Sequence, residues 1–202
     1  MSFFTDTDKK AGSPFEPKRK FRWIVSFSSI GQEAYFMATK VDKPSANMET
    51  HKHEFLNHEF KFPTKVKWQP ITVKFIDSFN ADMSSKFYNI LRGSGYNQPV
   101  TLKEALTGLT KANMSQAMGT IKLYQLDGGD VQTVNPDKAS DDPNPVFDAA
   151  KIREQWTLKN ALITSVKWGS GMSYTESGLV EVEVGIEYDF ANFDQKNTPY
   201  HG

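Results

Sequence analysis

Four carboxylates, Glu181, Glu183, Glu187 and Asp189, fall at alternate positions of one stretch with no Lys or Arg between them. A pair of carboxylates is the equipment of glycoside hydrolysis, but such a pair flanks the scissile bond across a cleft, and neighbours on one strand face cannot. On a strand every second residue lies about 7 Å from the next, so these like charges repel and must be solvated or matched by bases. The stretch is therefore either a wet surface or a wall meant to be acidic, such as that of a channel. His51, His53 and His58 form the other grouping with chemical potential. His-x-His on a strand puts both rings on one face, yet no carboxylate or cysteine completes a metal set at a recognisable spacing, and exposed strand histidines are expected. Asp141-Asp142 lacks the spacing of a calcium loop, and Lys18, Arg19 and Lys20, with Arg22, could meet phosphate but read more simply as a solvated tail. There is no P-loop, no Gly-x-Ser-x-Gly, no His-Glu-x-x-His and no cysteine nucleophile, and Gly93-Ser94-Gly95 reads as a helix stop. The expectation is a protein that is not an enzyme and uses no metal or cofactor.

The elements that must carry these residues are mostly strands. Val180, Val182, Val184, Ile186, Tyr188 and Phe190 alternate with the acids, which predicts one strand of eleven residues, about 35 Å long. Trp156 to Trp168, with Trp156, Leu158, Leu162, Val166 and Trp168 on one side, predicts a second long strand pairing antiparallel with it. In Trp68 to Asp77, Ile71, Val73 and Phe75 face inward, and Pro70 near the start implies an edge or a bulge. Arg22 to Ser28 and Ala34 to Val41 predict a hairpin around Ser29 to Gln32. Pro44 then breaks the pattern into a polar loop from Asp42 to Thr50, and His51 to Phe62 resumes as a strand. Asn80 or Asp82 can cap a helix reaching Leu91, with Met83, Phe87, Ile90 and Leu91 in one stripe. Thr101 and Glu104 have capping-box spacing, and Thr107 to Gly119 reads as mixed helix and loop. Thr120 to Leu126 predicts a strand turning through Asp127–Asp130 into Val131–Val134, before an exposed loop from Asn135 to Pro145. The expected core is Trp23, Phe27, Trp68, Val73, Phe75, Phe87, Leu91, Trp156, Val182, Val184, Ile186 and Tyr188. About eight strands and one firm helix make the class mainly β, a β-sandwich or barrel of two packed antiparallel sheets with a flanking α-helix.

At 202 residues one large domain is the first expectation: an arm over 1–20, a β domain over 21–192 with an insertion at about 93–150, and a polar tail over 193–202. Without cysteine there is no disulfide or thiolate site, and no run of apolar residues is long enough to cross a membrane as a helix. Met1 to Phe15 lacks the apolar segment of a secretory signal, so an unprocessed protein assembling in the cytosol is expected. Formal net charge is zero, which argues against a nucleic-acid binder. The charge is nonetheless uneven, with thirteen Lys or Arg against eight Asp or Glu in residues 1–75 and six against thirteen in 127–202. Such a division lets copies meet head to tail.

Three segments resemble the tail tube protein family of contractile-tailed, T4-like bacteriophages: Phe60-Lys61-Phe62-Pro63 leading into Trp68 to Asp77, the helix Asp82 to Leu91, and Trp156 to Ala161 through Val180 to Asp189. The resemblance implies a β-sandwich or barrel subunit whose copies form six-membered rings, stacked into the inner tube through which DNA passes on ejection. Implied partners are further copies, the tail sheath, the baseplate, the tail terminator and DNA in transit, with no membrane. The implied location is the virion tail, after assembly in the host cytoplasm. By the family's pattern, the loop carrying Asp42, Lys43, Pro44, Asn47 and Glu49, and the arm carrying Lys18, Arg19 and Lys20, reach the neighbouring ring. Glu181, Glu183, Glu187 and Asp189 become candidate lumen acids, keeping phosphates from sticking. If six copies each lend four strands to one barrel, its backbone diameter is about 45 Å, wide enough for a duplex. Gly93 to Ala150 is longer than short members need. A baseplate paralogue that starts the tube would share the fold. The alternative of another class is a monomeric β-barrel whose aromatics line a ligand pocket; it would close its own sheet, whereas a ring subunit leaves edges open.

Overall fold

The computed structural model describes residues 18–31, 33–106, 108–126, 152–169, 171–175 and 177–195. Among these the order is β1 (Trp23–Phe27), α1 (Glu33–Met37), β2 (Ala38–Val41), β3 (Ala46–Phe55), β4 (His58–Trp68), β5 (Ile71–Ile76), α2 (Met83–Gly93), α3 (Leu102–Ala105), α4 (Lys111–Met118), β6 (Ile121–Leu126), β7 (Ile152–Lys159), β8 (Leu162–Trp168), β9 (Glu181–Glu187) and β10 (Phe190–Gln195). Two four-stranded sheets, β1-β6-β7-β10 and β2-β5-β9-β8, are accompanied by a separate two-stranded ribbon, β3-β4.

The chain divides into two compact units, one of Met1–Ile24, Leu123–Trp156 and Phe193–Gly202 and one of Val25–Lys122 and Thr157–Asn192. In the first, Ile24, Leu123, Leu126 and Ile152 are buried, and so is the Glu154 carboxylate. A buried carboxylate needs partners; here the Lys18 ammonium and the Trp156 indole N–H, the latter at 3.1 Å, supply them. The Gln125 amide donates to the carbonyls of Arg19 and Arg22 at 2.9 and 2.6 Å, fastening residues 19–22 beside β6.

In the second unit β5 buries Ile71, Val73 and Phe75, and β9 buries Val182, Val184 and Ile186, each at every second position. Phe27 from β1, Phe75 from β5 and Phe87 from α2 meet with ring centroids 5.3 to 6.2 Å apart, which packs the end of β1 against β5 and the helix. Full burial of such a side chain contributes about 1.5–3 kcal/mol. Asp82 caps α2 by accepting from the Ser85 N–H at 2.7 Å, and Asp77 accepts from Met83 N at 2.9 Å and Ser84 Oγ at 2.6 Å. Thr101 and Glu104 form the capping box of α3. The class is mainly β, as the residue pattern implies.

Several expectations are corrected. Arg22–Ser28 and Ala34–Val41 do not form a hairpin, because residues 33–37 coil into α1 and β2 joins the other sheet. Short apolar runs fit helix and strand alike. Asp42 to Thr50 is a loop only as far as Ser45, and His51 to Phe62 is not one strand: the chain reverses at Leu56-Asn57, so β3 and β4 form a long hairpin. Pro70 marks no edge, since it precedes β5, an inner strand. Both long stretches bend. β7 ends at Lys159, Asn160 after it takes φ 54°, and β8 continues in the other sheet. β9 ends at Glu187, and β10 likewise changes sheet. The corners are tied together: Asp189 N–H donates to the Lys159 carbonyl at 3.1 Å and the Asn160 amide donates to the Asp189 carboxylate at 2.7 Å. Strands that switch sheets are a known way of making corners in β-sandwiches. Of the expected core, Phe27, Val73, Phe75, Phe87, Val182, Val184, Ile186 and Tyr188 are buried, whereas Trp23, Trp68, Leu91 and Trp156 are half-buried. Residues 1–17 of the arm, the turn at 127–130, the strand at 131–134 and the loop at 135–145 lie outside the described residues.

Candidate assembly surfaces

The β3-β4 hairpin is exposed along almost its whole length. Its pairing sets His51 opposite Phe62, His53 opposite Phe60 and Phe55 opposite His58, so three imidazoles and three phenyl rings share one face. Lys52, Lys61, Glu54 and Glu59 share the other, where Glu59 meets Lys52 at 3.1 Å and Lys61 at 3.5 Å. Phe60 is 49% exposed and Leu56, at the tip, 86%. Among the described residues no three His, Asp or Glu side chains gather as a metal set.

At the root, Asp42 N–H donates to the Thr72 carbonyl at 3.1 Å, the Asp42 carboxylate accepts from Thr72 N at 3.2 Å, and Gln69 N–H donates to Ser45 O at 2.9 Å. Pro44 is buried and Trp68 stacks near Tyr188 at 6.0 Å. Of the residues assigned to stacking, Asp42, Lys43 and Pro44 thus lie at the root and Asn47 and Glu49 within β3, where Glu49 pairs with Lys67 at 2.5 Å. The hydrogen bond to Glu49, and then the charge pairing with it, raise the Lys67 pKa. Lys18 and Arg19 are held within the smaller unit, and Lys20 is exposed.

The acids of β9 are not left to repel one another. Register places Lys74 of β5 and Lys167 of β8 on either side of Glu183, at 3.1 and 2.6 Å. Hydrogen bonds from Lys167 and then Lys74 hold the Glu183 carboxyl below its ordinary value. Lys74 also lies 3.8 Å from Glu181, to which Thr39 donates at 3.4 Å. Glu187 is exposed on the same face. Asp189 does not belong to that face, because β9 has ended; it pairs with Lys111 of α4 at 2.6 and 2.8 Å. Hydrogen bonds from Lys111 and then Asn160 lower its pKa. With Lys40 beside Lys74, the outward face of the β2-β5-β9-β8 sheet carries Lys40, Lys74 and Lys167 against Glu181, Glu183 and Glu187, a balanced rather than an acidic wall.

The two ends of this sheet differ. Antiparallel pairing brings Val41, Ile71, Glu187 and Leu162 to the end that bears the hairpin, and Ala38, Ile76, Glu181 and Trp168 to the other. From that far end rise the β5–α2 connection and the β8–β9 connection, joined where Asp77 N–H donates to Val180 O at 2.9 Å. They expose Phe79, Met172 and Tyr174 almost fully, and Leu179 for the greater part. No signal in the alternation of β5 or β9 marks these residues, which are loop positions.

Aromatic side chains fill the interior with rings in contact. An open cleft of about 190 Å³ is lined by polar groups of Tyr88, Arg92, Tyr96, Asn97, Gln98 and Glu104, smaller than the usual 300–1,000 Å³ ligand site.

No family model and no curated protein matches the sequence. Solved structures do match in fold. A chain of the anti-feeding prophage cap, described as tube-terminating, superposes with TM-score 0.56 at 14% identity over 94% of this chain and 99% of its own. A chain from the sheath/tube terminator of an extracellular contractile injection system, PVC, gives 0.56 at 15% over 90% and 99%. A chain of the six-fold symmetrised anti-feeding prophage baseplate gives 0.54 at 10% over 91% and 99%. The chain shares its fold with these cap, terminator and baseplate chains of contractile injection systems.

Proposed function

We propose that the protein is a structural, non-catalytic subunit that assembles with copies of itself into the inner tube of a contractile tail, or into the baseplate or terminator ring at one of its ends. The observation that carries this reading is the β3-β4 hairpin, an exposed two-stranded ribbon with large apolar side chains that finds no cover among the described residues. An isolated ribbon is marginal in water, so this one is built to be covered by a neighbour. In its finer form the reading has six copies per ring, stacked rings, sheath and baseplate as partners, and passage of DNA through the bore. The six-fold symmetry of the baseplate that supplies a similar chain supports the number. The open-edged sheet β2-β5-β9-β8 offers four strands per copy to a shared barrel, and Glu181, Glu183 and Glu187 then face the lumen with their lysines. The packed aromatic interior argues against the monomeric ligand-binding barrel.

Sedimentation of the purified protein, with negative-stain electron microscopy of the same sample, tests the reading. Rings or hollow tubes are expected, and a variant with residues 48–66 replaced by a short Gly-Ser link, which keeps Trp68 against Tyr188, should keep the fold but not form tubes. A protein that stays monomeric at high concentration, even with baseplate or sheath components added, would exclude it.

A further inference from the structure

The chain between α2 and α4 is fixed in place, yet it turns aliphatic side chains to water. Gly95 takes φ 104°, and a Cβ there would stand 2.8 Å from the Gly108 carbonyl oxygen, so the chain comes back on itself at these two glycines. Within the loop α3 is held by its capping box, and the Gln98 amide ties the loop to α2 by donating to the Tyr88 hydroxyl at 3.2 Å. Val100 is 81% exposed, and Leu102 and Leu106, one helical turn apart, are 79% exposed each. Leu109 is more than half exposed as well. Aliphatic groups clustered on an ordered loop mark a surface that meets another molecule.

The polar cleft adjoins them, because Val100 forms part of its wall. Its acid is committed: Glu104 accepts from the Thr101 N–H at 2.8 Å and from the Thr101 hydroxyl at 2.9 Å. Its base is not, since among the described residues no carboxylate pairs with Arg92. A guanidinium holds a carboxylate through two parallel N–H groups, and about 190 Å³ suits one acidic side chain. Helical spacing fixes the direction in which the cleft opens. Met83, Phe87 and Ile90 are buried, and at about 100° per residue Arg92 stands on the opposite side of α2, with Tyr88 next to it. Phe87 rests on Phe75, on the buried side of β5, while Lys74 and Glu183 lie on the other side of that sheet. Arg92 and the charged sheet face therefore look in opposite directions.

We propose that this surface receives a protein lying along the outside of the tube, and that it takes from that protein an apolar segment bearing one aspartate or glutamate. The carboxylate lies on Arg92 and the apolar side chains cover Leu102 and Leu106. The proposal rests on the reading of the chain as a tube subunit with its charged sheet face toward the bore. In that arrangement the cleft opens outward. Copies within a ring meet side by side and copies in a stack meet end to end, so the occupant is a different protein. Its segment is acidic rather than basic because the uncommitted charge of the cleft is Arg92.

The test uses tubes of the full-length protein. The chain has no cysteine, so Leu102→Cys introduces a single thiol, and in bare tubes it is expected to react with a bulky maleimide as fast as in the unassembled subunit. Short random peptides are then selected on wild-type tubes. The expected winners carry Asp or Glu among Leu, Ile or Phe, and they bind at least about tenfold more weakly to tubes of Arg92→Glu and of Leu102→Asp. Both positions are exposed, so circular dichroism and assembly of the variants should match wild type. Loss of assembly in either variant, or protection of the thiol in bare tubes, overturns the proposal, because copies then use the loop themselves. Basic winners, no winners, or winners that bind the variants as tightly as wild type overturn it too. Absence of tubes from the wild-type protein counts instead against the tube reading.

Discussion

Glu183 and Asp189 are single residues whose behaviour depends on lysines delivered by other elements. Both carboxyls have folded pKa values below their ordinary 4.5 and 3.8, through Lys167 and Lys74 in the first case and Lys111 and Asn160 in the second. A lowered acid pKa means that the folded form binds the proton less well than the unfolded chain. The stability it contributes is complete above about pH 4.5 and is lost as pH falls through the depressed folded value. Melting temperature is therefore expected to decline below about pH 4.5. Lys111→Ala should lower it near neutrality and flatten part of that decline, because Asp189 then titrates nearer its ordinary value. Equal acid slopes in wild type and variant would show that the Lys111 contact contributes nothing. The groups are exposed, so the step is small and salt-dependent. The acids were legible as an alternating row, but their lysines were not, because Lys74 and Lys167 reach Glu183 only through strand register. Asp189 kept the parity of the row and still left the face, since parity continues unbroken through a corner.

Helix starts are written locally, and at the level of elements they were the most legible feature. Asp82 and Thr101 cap α2 and α3 through side chains that bond three residues ahead, within reach of a sequence window. Asp82→Ala should cost about 1 kcal/mol in a denaturant titration. Phe87→Ala, which empties the centre of the aromatic trio, should cost about 3–5 kcal/mol in the same measurement. A Phe87 loss below that of Asp82 would contradict the packing described. The corners at Asn160 and Asp189 were illegible because a period of two shows that a chain is extended, not which sheet it follows. The hairpin was hidden for another reason: its turn, Leu56-Asn57, has none of the glycine expected where φ is positive. Leu56 at φ 54° carries strain of about 1–2 kcal/mol. Leu56→Gly should relieve it and increase hydrogen-exchange protection of β3 and β4. Reduced protection would mean that Leu56 packs against something more valuable than the strain it bears.

For the whole molecule, the proposed tube turns the outward face of the β2-β5-β9-β8 sheet toward a bore, and charge tests that orientation. That face balances Lys40, Lys74 and Lys167 against Glu181, Glu183 and Glu187. Replacing Lys74 and Lys167 with Gln leaves three acids against one base on every copy. On the outside of a ring such charges diverge into solvent and interact weakly. Inside a closed bore they converge from all copies, and repulsion opposes ring closure until salt screens it; the Debye length falls from about 10 Å at 0.1 M to about 3 Å at 1 M. The expected result is that K74Q/K167Q forms few rings at low salt and many at high salt, while wild type assembles at both. Adding Glu181→Gln and Glu183→Gln should restore assembly at low salt, separating charge from lost hydrogen bonds. Assembly of K74Q/K167Q without salt dependence would place the face outside the bore and direct the search for a lumen wall to the β1-β6-β7-β10 sheet.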